Sequence, residues 1–387
     1  MNTKMKTRTA DTADGSSDLL SFAREITKGL ETIKAIKAMP KVAHRAFSSL
    51  GEQAIAIATA ERGGPVDYRL VRAPAGANIG DPSAGGFVVQ DDLAQSLIRS
   101  VYARSVIAPL CDIRETAHPL RETKLPGTDE SSRADGARNG GVLTYWEPEA
   151  VAPTKTFPKF RLVSFQPRKV ISIARVTNEL LADAPMLTGY LEDIFSDELG
   201  FTLDRAILVG TGIGTPLGIM NLPALITVPK ETGQAAATIV KENIDKLWSR
   251  LPAASRRRAV WLISEDVTPQ LFSLNQAVGT GAPFAFCPPG TVPGVSYGTL
   301  YGAPIIEAEQ SPSLGSLGDV VLADLSRYTI AQSATAFSLS LHSGFDSDEV
   351  SFRVRMFVDG KSTQVSPITP YNGSTTRSPF VTLAARP

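Results

Sequence analysis

The stretch VTNELLADAPMLTGYLEDIFSDELGFTLDRAILVGTGIGTPLGI, residues 176–219, decides how the chain is interpreted. Its apolar residues recur every three or four positions, which predicts one long helix from about 184 to 209. Asp183 can cap this helix, and Pro185 is tolerated in a first turn. The residues expected on its buried face are Leu187, Leu191, Ile194, Phe195, Leu199, Leu203 and Ile207.

Four glycines follow closely, at Gly210, Gly212, Gly214 and Gly218, and they raise the question of a phosphate-binding loop. A dinucleotide fingerprint needs a strand before the glycines and a helix after them. Here the glycines follow a predicted helix and run into Pro216, and no Gly-Lys-Ser or Gly-Lys-Thr is present. A turn that ends the helix is therefore favoured over a nucleotide site.

Composition limits the possible functions. The 387 residues contain 39 basic (Lys and Arg) and 39 acidic (Asp and Glu) side chains, so no net basic field attracts nucleic acid, and any such contact is local or weak. Cys111 and Cys287 form no CxxC pair, and the histidines do not cluster, so neither a disulfide framework nor a zinc site is expected. This cysteine usage fits synthesis in a reducing cytosol, and no metal or cofactor is predicted.

The N-terminal part reads as a separable helical extension, residues 1–84. Residues 17–39 predict an amphipathic helix, 41–60 a weaker one, and 72–86 a linker of small residues. No secretory signal is expected, since the N-terminus carries acids at Asp11, Asp14 and Asp18 and has no early apolar run. The uncharged run 206–229 is interrupted by glycines and prolines, so no transmembrane segment is predicted either.

After the extension, a helix and a strand are predicted, followed by a long polar segment. A helix is predicted through DDLAQSLIRSVYARS, residues 91–105, and a strand over VIAPLCDI, residues 106–113. The long polar run 114–155 has little to bury, and Phe157, Phe160, Leu162 and Phe165 then predict a returning strand. A charged two-stranded excursion cannot make its own core, which is a first indication of assembly.

The second half of the chain mixes helices and strands. A helix is predicted around Ile244, Leu247, Trp248 and Leu251, a buried strand over 259–264, a helix over 268–277 and a loop over 278–298. Residues 336–342 and 350–358 alternate like strands, and Asp359-Gly360 predicts a hairpin turn. The fold class expected from these elements is α+β.

One motif suggests a serine hydrolase. GVSYG, residues 294–298, matches GxSxG around Ser296, and Asp319 or Asp324 and then His342 follow in the hydrolase order. A nucleophile elbow requires a strand before the serine and a helix after it, whereas loop sequences stand on both sides. The hydrolase remains an alternative that the flanking sequence disfavours.

Other polar residues have simpler explanations. The run Arg256–Arg258 lies at the end of a predicted helix, where dipole compensation and a solvated surface are favoured over an anion or partner site. The acid pairs Glu192-Asp193 and Asp197-Glu198 lie on the polar side of the long helix. The three histidines, far apart in sequence, are His44, His118 and His342. We therefore predict no catalytic, cofactor-binding or metal-ligating residues, and no enzyme.

Taken together, four segments resemble the major capsid proteins of tailed bacteriophages with the Hong Kong 97 fold. They are 176–219, LYGAPIIEAEQSP at 300–312, GDVVLADLSRYTI at 318–330 and GGFVVQ at 85–90. The resemblance covers about residues 85–370. It implies a peripheral domain with a long spine helix and long β strands, an axial domain, an extended β-hairpin loop and an N-terminal arm.

The resemblance also implies a division of the chain and an outcome for its extension. The N-terminal extension is either a scaffold-like segment that is removed during maturation or an arm that is retained. Both alternatives remain open. The implied divisions are 1–84, the extension; 85–114, the arm and first peripheral elements; 115–168, the extended hairpin; 169–215, the peripheral domain with the spine helix; 216–330, the axial domain; and 331–387, C-terminal strands returning to the peripheral domain.

The implied function is that of a shell subunit. Copies of the chain would form hexamers and pentamers of an icosahedral head around double-stranded DNA, with portal and possibly scaffolding, protease or decoration proteins as partners, assembled in the host bacterial cytoplasm. An encapsulin nanocompartment is the alternative of the same fold, which the long hairpin and the extension disfavour.

The type member of the family cross-links its subunits through Lys, Asn and Glu. Lys155 and Lys159 could stand near the Lys position, but 350–358 offers neither Asn nor Glu, so no such cross-link is expected.

Overall fold

The computed structural model describes residues 91–116, 122–128, 130–146, 155–177, 184–272, 286–289, 298–344 and 349–387, with 52, 56, 59, 65, 67, 87–88, 149 and 274. All of them lie within one compact unit, Ser49–Pro387. The predicted helix over 17–39, nearly all of the weaker one and the linker up to residue 86 lie outside the described residues. The predicted domain boundaries stay a prediction.

The described chain combines a few helices with mostly antiparallel sheets, as an α+β fold does. The helices are α1 Asp91–Arg104, α2 Ala184–Val209, α3 Lys241–Arg250 and α4 Thr268–Leu271. The strands are β1 Phe87–Val88, β2 Asp112–Glu115, β3 Thr123–Thr128, β4 Phe160–Phe165, β5 Arg168–Thr177, β6 Ile226–Val228, β7 Val260–Ile263, β8 Phe286–Cys287, β9 Thr299–Leu300, β10 Ala303–Glu307, β11 Val320–Ala323, β12 Tyr328–Gly344, β13 Glu349–Ser362 and β14 Phe380–Leu383.

Long antiparallel strands form one sheet, which we call the long sheet. Its order is β1-β12-β13-β5, and β2 also pairs with β12 in parallel. The strands predicted over 336–342 and 350–358 are confirmed. The predicted turn at Asp359-Gly360 is wrong: both residues continue β13, and Gly360 pairs with Ile330. A Cβ on Gly360 would lie 2.7 Å from the Tyr328 hydroxyl oxygen, so this glycine makes room for a ring rather than for a turn.

A second sheet has seven strands in the order β6-β14-β11-β7-β10-β9-β8. Every residue of β7 is buried, which confirms the buried strand over 259–264. The predicted helix over 268–277 is shorter, because α4 ends at Leu271. The last strand, β14, lies between β6 and β11 in this sheet instead of returning to the long sheet. Its four side chains are all buried, so both faces of the sheet are covered at this strand.

Helix α2 confirms the prediction over 184–209. Most of the predicted face is buried, as at Leu191, Phe195, Leu199, Leu203 and Ile207. Ile194 is an exception, with 40% exposure. Residue 183 and the side chain of residue 187 lie outside the described residues.

The end of α2 joins the two sheets. Leu203, Ile207 and Leu208 belong to one hydrophobic cluster with Leu262 of the seven-stranded sheet and Met356 of the long sheet. Each fully buried aliphatic side chain stabilises the fold by about 1.5–3 kcal/mol. The C-terminal end of α2 is therefore well packed against both sheets, and this packing holds the start of the segment that follows the helix in place.

Candidate assembly surfaces

The glycine stretch after α2 is a closed turn. Gly210 N donates to Ala206 O at 3.0 Å, Gly212 N to Pro216 O at 3.2 Å and Gly218 N to Gly210 O at 2.8 Å. A Cβ on Gly210 would lie 2.2 Å from Pro216 O. These N–H groups are already bound to carbonyl groups of the same turn, so they are not free to hold a phosphate. The helix-ending turn predicted from the sequence is confirmed.

The elements of the proposed hydrolase triad do not converge. Ser296 lies outside the described residues. Asp319 is fully buried and binds the Arg386 guanidinium, and it accepts a hydrogen bond from Gly315 N at 2.9 Å. His342 is fourteen residues beyond the start of β12. At about 3.3 Å per residue that places it roughly 45 Å from the Asp324 end of the strand, far too distant for a triad.

The acidic side of α2 is partly neutralised by the neighbouring helix. The Arg104 guanidinium of α1 binds the carboxylates of Asp193 and Asp197, the latter at 2.7 Å. Gly200 lies where α1 crosses α2, because its Cβ would meet Val101 O at 3.3 Å. These acids position α1 and need no catalytic role.

Asp204 is a buried structural anchor that the sequence interpretation missed. Its carboxylate accepts hydrogen bonds from Ser105 Oγ at 2.5 Å and from the backbone N–H groups of Val106, Ile107 and Ala108 at 2.8, 3.2 and 3.0 Å. Burial raises the pKa of Asp204, and these hydrogen bonds oppose that rise. An acid beside the buried face of a long helix is the sequence signal that could have identified it.

This anchor explains why residues 106–111 are not the predicted strand. Their backbone turns around the Asp204 carboxylate, a 3₁₀ turn covers Ala108–Leu110, and β2 begins only at Asp112. The Cys111 thiol donates to Ile107 O at 3.6 Å. Burial, with added repulsion from nearby carboxylates, raises the pKa of Cys111 well above the ordinary range. Both cysteines are free, in line with the sequence.

The polar excursion forms a two-stranded hairpin of β3 and β4, as predicted, with Thr123 opposite Phe165. One face of β4 is anchored, because Val163 and Phe165 pack with Ala331. The opposite face is apolar and exposed, with Phe160 at 67% and Leu162 at 63%.

Further apolar side chains are exposed along the hairpin. Phe157 is 84% exposed and Trp146 fully exposed, and Tyr145 and Val142 are also exposed. We call Val142, Tyr145, Trp146, Phe157, Phe160 and Leu162 the hairpin face. A monomeric protein seldom leaves so many large apolar groups in one segment in water. Lys155 and Lys159, on the same segment, are exposed.

Two other surfaces share this character. On α2, Tyr190, Ile194 and Phe201 lie on one side of the helix and are 60%, 40% and 37% exposed. In the long sheet β5 stands at the end of the strand order, and its Ile171 and Ile173 are 41% and 61% exposed. An uncovered sheet edge is a ready template for another chain.

The described residues contain neither a membrane-spanning helix nor a metal-ligand cluster. None of their helices is long and apolar enough to cross a membrane. Among the same residues, no three His, Cys, Asp or Glu side chains are grouped so as to hold a metal ion.

Comparisons with known proteins agree with a shell subunit. A profile of the phage capsid family matches residues 85–373. The fold is similar to the capsid of a native GTA particle, with a TM-score of 0.52 and 16% identity over 73% of this chain and 91% of that one. The capsid of an empty GTA particle gives a TM-score of 0.51 and 15% identity over 73% and 90%. No curated protein matches the chain. Because the family profile spans most of the described fold, the chain belongs to the phage capsid family, as a major capsid protein with a Hong Kong 97-like fold.

Proposed function

We propose that this chain builds an icosahedral phage head from hexamers and pentamers, and that the head encloses double-stranded DNA. The observation that carries the proposal is the hairpin face: a segment anchored to the body on one side and apolar on the other. In a chain of the phage capsid family, the natural occupant of that face is a neighbouring subunit.

The physical mechanism is repeated burial. Covering the Phe160, Leu162 and Trp146 side chains contributes about 1.5–3 kcal/mol each. Ordering and association costs offset much of this, so a single contact is weak. A closed shell repeats the contact in every copy, and weak individual contacts allow misplaced subunits to leave before closure.

The stripe on α2 and the β5 edge would extend the same contacts. Tyr190, Ile194 and Phe201 stand beside the Arg104 pairs, so an apolar strip with a charged border is available to a neighbour or to the N-terminal extension. Portal, scaffolding, protease and decoration proteins are the further partners expected of such a head. The protein would be located in the head of the virion, after the head has assembled in the host cytoplasm.

The fate of residues 1–84 is a separate question with a direct test. Mass spectrometry of subunits from mature heads distinguishes an intact chain from one that begins near residue 85. An intact mass would exclude removal of the extension.

Electron microscopy of the purified full-length protein tests the proposal. We expect shells tens of nanometres across, and only small discrete oligomers would contradict it. Phe160→Ser should prevent shells without lowering the stability of the subunit, because Phe160 is 67% exposed. Tyr371→Ser, which removes an aromatic ring that is 61% exposed outside the hairpin, is the matched control.

The alternatives predict other results. For a serine hydrolase, Ser296→Ala would abolish esterase activity, whereas a head subunit keeps its assembly unchanged. For an encapsulin-type compartment, purified shells would contain a cargo protein and no DNA.

A further inference from the structure

Six arginines belong to three segments that meet at one end of the seven-stranded sheet. The adjacent segments 248–259, 324–328 and 371–380 contain no acid except Asp324. We call the six the arginine rim: Arg250, Arg256, Arg257, Arg258, Arg327 and Arg377. The chain as a whole has 39 charges of each sign, so this segregation is local.

Backbone contacts bring the three segments together. Val260, just after the arginine run, pairs with Ala323, which pairs in turn with Phe380. Ser378 N donates to Arg250 O at 3.0 Å, and Asp324 N donates to Pro379 O at 2.9 Å. The rim thus follows the ends of three neighbouring strands, β7, β11 and β14.

Part of the rim serves the fold. Arg256 donates to Trp248 O at 3.4 Å and its guanidinium lies 5.6 Å from the Trp248 ring, which satisfies the end of α3. Arg250 donates to Thr376 O at 3.2 Å. Arg258 lies 3.7 Å from the Asp324 carboxylate yet keeps 56% of its side chain exposed.

Three arginines are left over. Arg257 and Arg327 are exposed and Arg377 is half-buried, and none of them forms an ion pair with an acid among the described residues. The nearest acid on the neighbouring strand is Asp112, whose carboxylate is bound to Arg114 at 2.8 Å and to Thr329 at 3.2 Å. Arg256 already satisfies the end of α3, so these three arginines remain available to an anionic partner.

We propose that the arginine rim binds the phosphate backbone of the double-stranded DNA enclosed by the head. Arginine presents a planar fork of donors that suits phosphate oxygens. A duplex carries a charge every 3.4 Å or so along each strand, and three strand ends at about 4.8 Å spacing cover roughly three phosphates. The acids Asp193 and Asp197 on α2 of a second copy fit less well, because they are already bound to Arg104.

This inference rests on the proposed function. It is tested by measuring how tightly the full-length protein, before assembly, binds a 30-base-pair DNA duplex of mixed sequence. The test variant is R257A/R327A/R377A. Each phosphate contact contributes about 0.9 to the slope of log affinity against log salt, so the slope should fall by between about 2 and 3. Affinity at 100 mM salt should fall at least tenfold.

Two controls separate charge from structure. R99A/R168A/R205A removes the same charge from exposed positions outside the rim and should bind like the unaltered protein. R257K/R327K/R377K keeps the charge and should keep the salt slope. Equal slopes for the rim and control alanine variants would overturn the proposal.

A loss of shells with DNA binding retained would overturn it too, and would identify the rim as a contact between subunits. If the unaltered protein binds DNA through the rim but forms no shells, the proposed function fails and the phosphate site stands.

Discussion

Replacing Gly210 by alanine should open the turn that follows α2. The added Cβ would lie 2.2 Å from Pro216 O and 2.4 Å from Ala206 O, where real Cβ contacts are essentially never under 3.0 Å. Both obstacles are backbone atoms, so no side chain can rotate away, and the turn must shift. The shift strains the hydrogen bonds from Gly218 N to Gly210 O and from Gly212 N to Pro216 O.

The expected cost follows from these contacts. Overpacking costs about 1–3 kcal/mol and each weakened hydrogen bond about 1 kcal/mol, so Gly210→Ala should lower the free energy of unfolding by about 3–5 kcal/mol. Gly214→Ala is the matched control, because no atom lies within 4 Å of its Cβ and only its φ of +75° is unfavourable. That conformation costs about 1–2 kcal/mol.

Urea unfolding of unassembled subunits, followed by circular dichroism, measures both values. The reasoning fails if Gly210→Ala is no more destabilising than Gly214→Ala. In that case the turn would be loose, and the closed hydrogen-bonded geometry would not represent the protein in solution.

Further predictions concern the anchor, the hairpin, the thiol and cross-linking. Asp204→Ala should lower the free energy of unfolding by about 3 kcal/mol in urea, because it leaves buried donors of Ser105 and Ile107 without an acceptor; a change under 1 kcal/mol would contradict this. Trp146→Ser should reduce shell yield in electron micrographs at unchanged subunit stability, since the ring is fully exposed; normal yield would remove it from the hairpin contact. Cys111 should react with iodoacetamide at pH 7.5 at least tenfold more slowly in the folded protein than in urea, because burial raises its pKa; equal rates would refute the burial. Boiled denaturing gels of mature heads should show no ladder of covalent oligomers, and such a ladder would disprove the absence of cross-linking.

Features encoded by short-range pattern could be predicted from the sequence. The long helix follows from its apolar spacing, which is fixed by helix geometry itself. The turn after it follows from its glycines, and the hairpin from a polar run that cannot form a core. The resemblance to capsid proteins depends on these same local segments in order.

Features that depend on distant partners could not be predicted. Asp359-Gly360 resembles a turn, but Tyr328 lies across the pair and keeps it within a strand. Residues 106–111 look like an apolar strand, but the Asp204 carboxylate, about a hundred positions away, binds their N–H groups and turns the chain.

The sequence by itself determined most of the long elements, the α+β class and the family, because local propensity and apolar periodicity act over a few residues. Tertiary structure decided which sheet receives the last strand, which side of α2 stays exposed, and that six arginines from three distant segments meet at one sheet end. Those outcomes depend on strand pairing between segments far apart in the chain, and no local pattern encodes them.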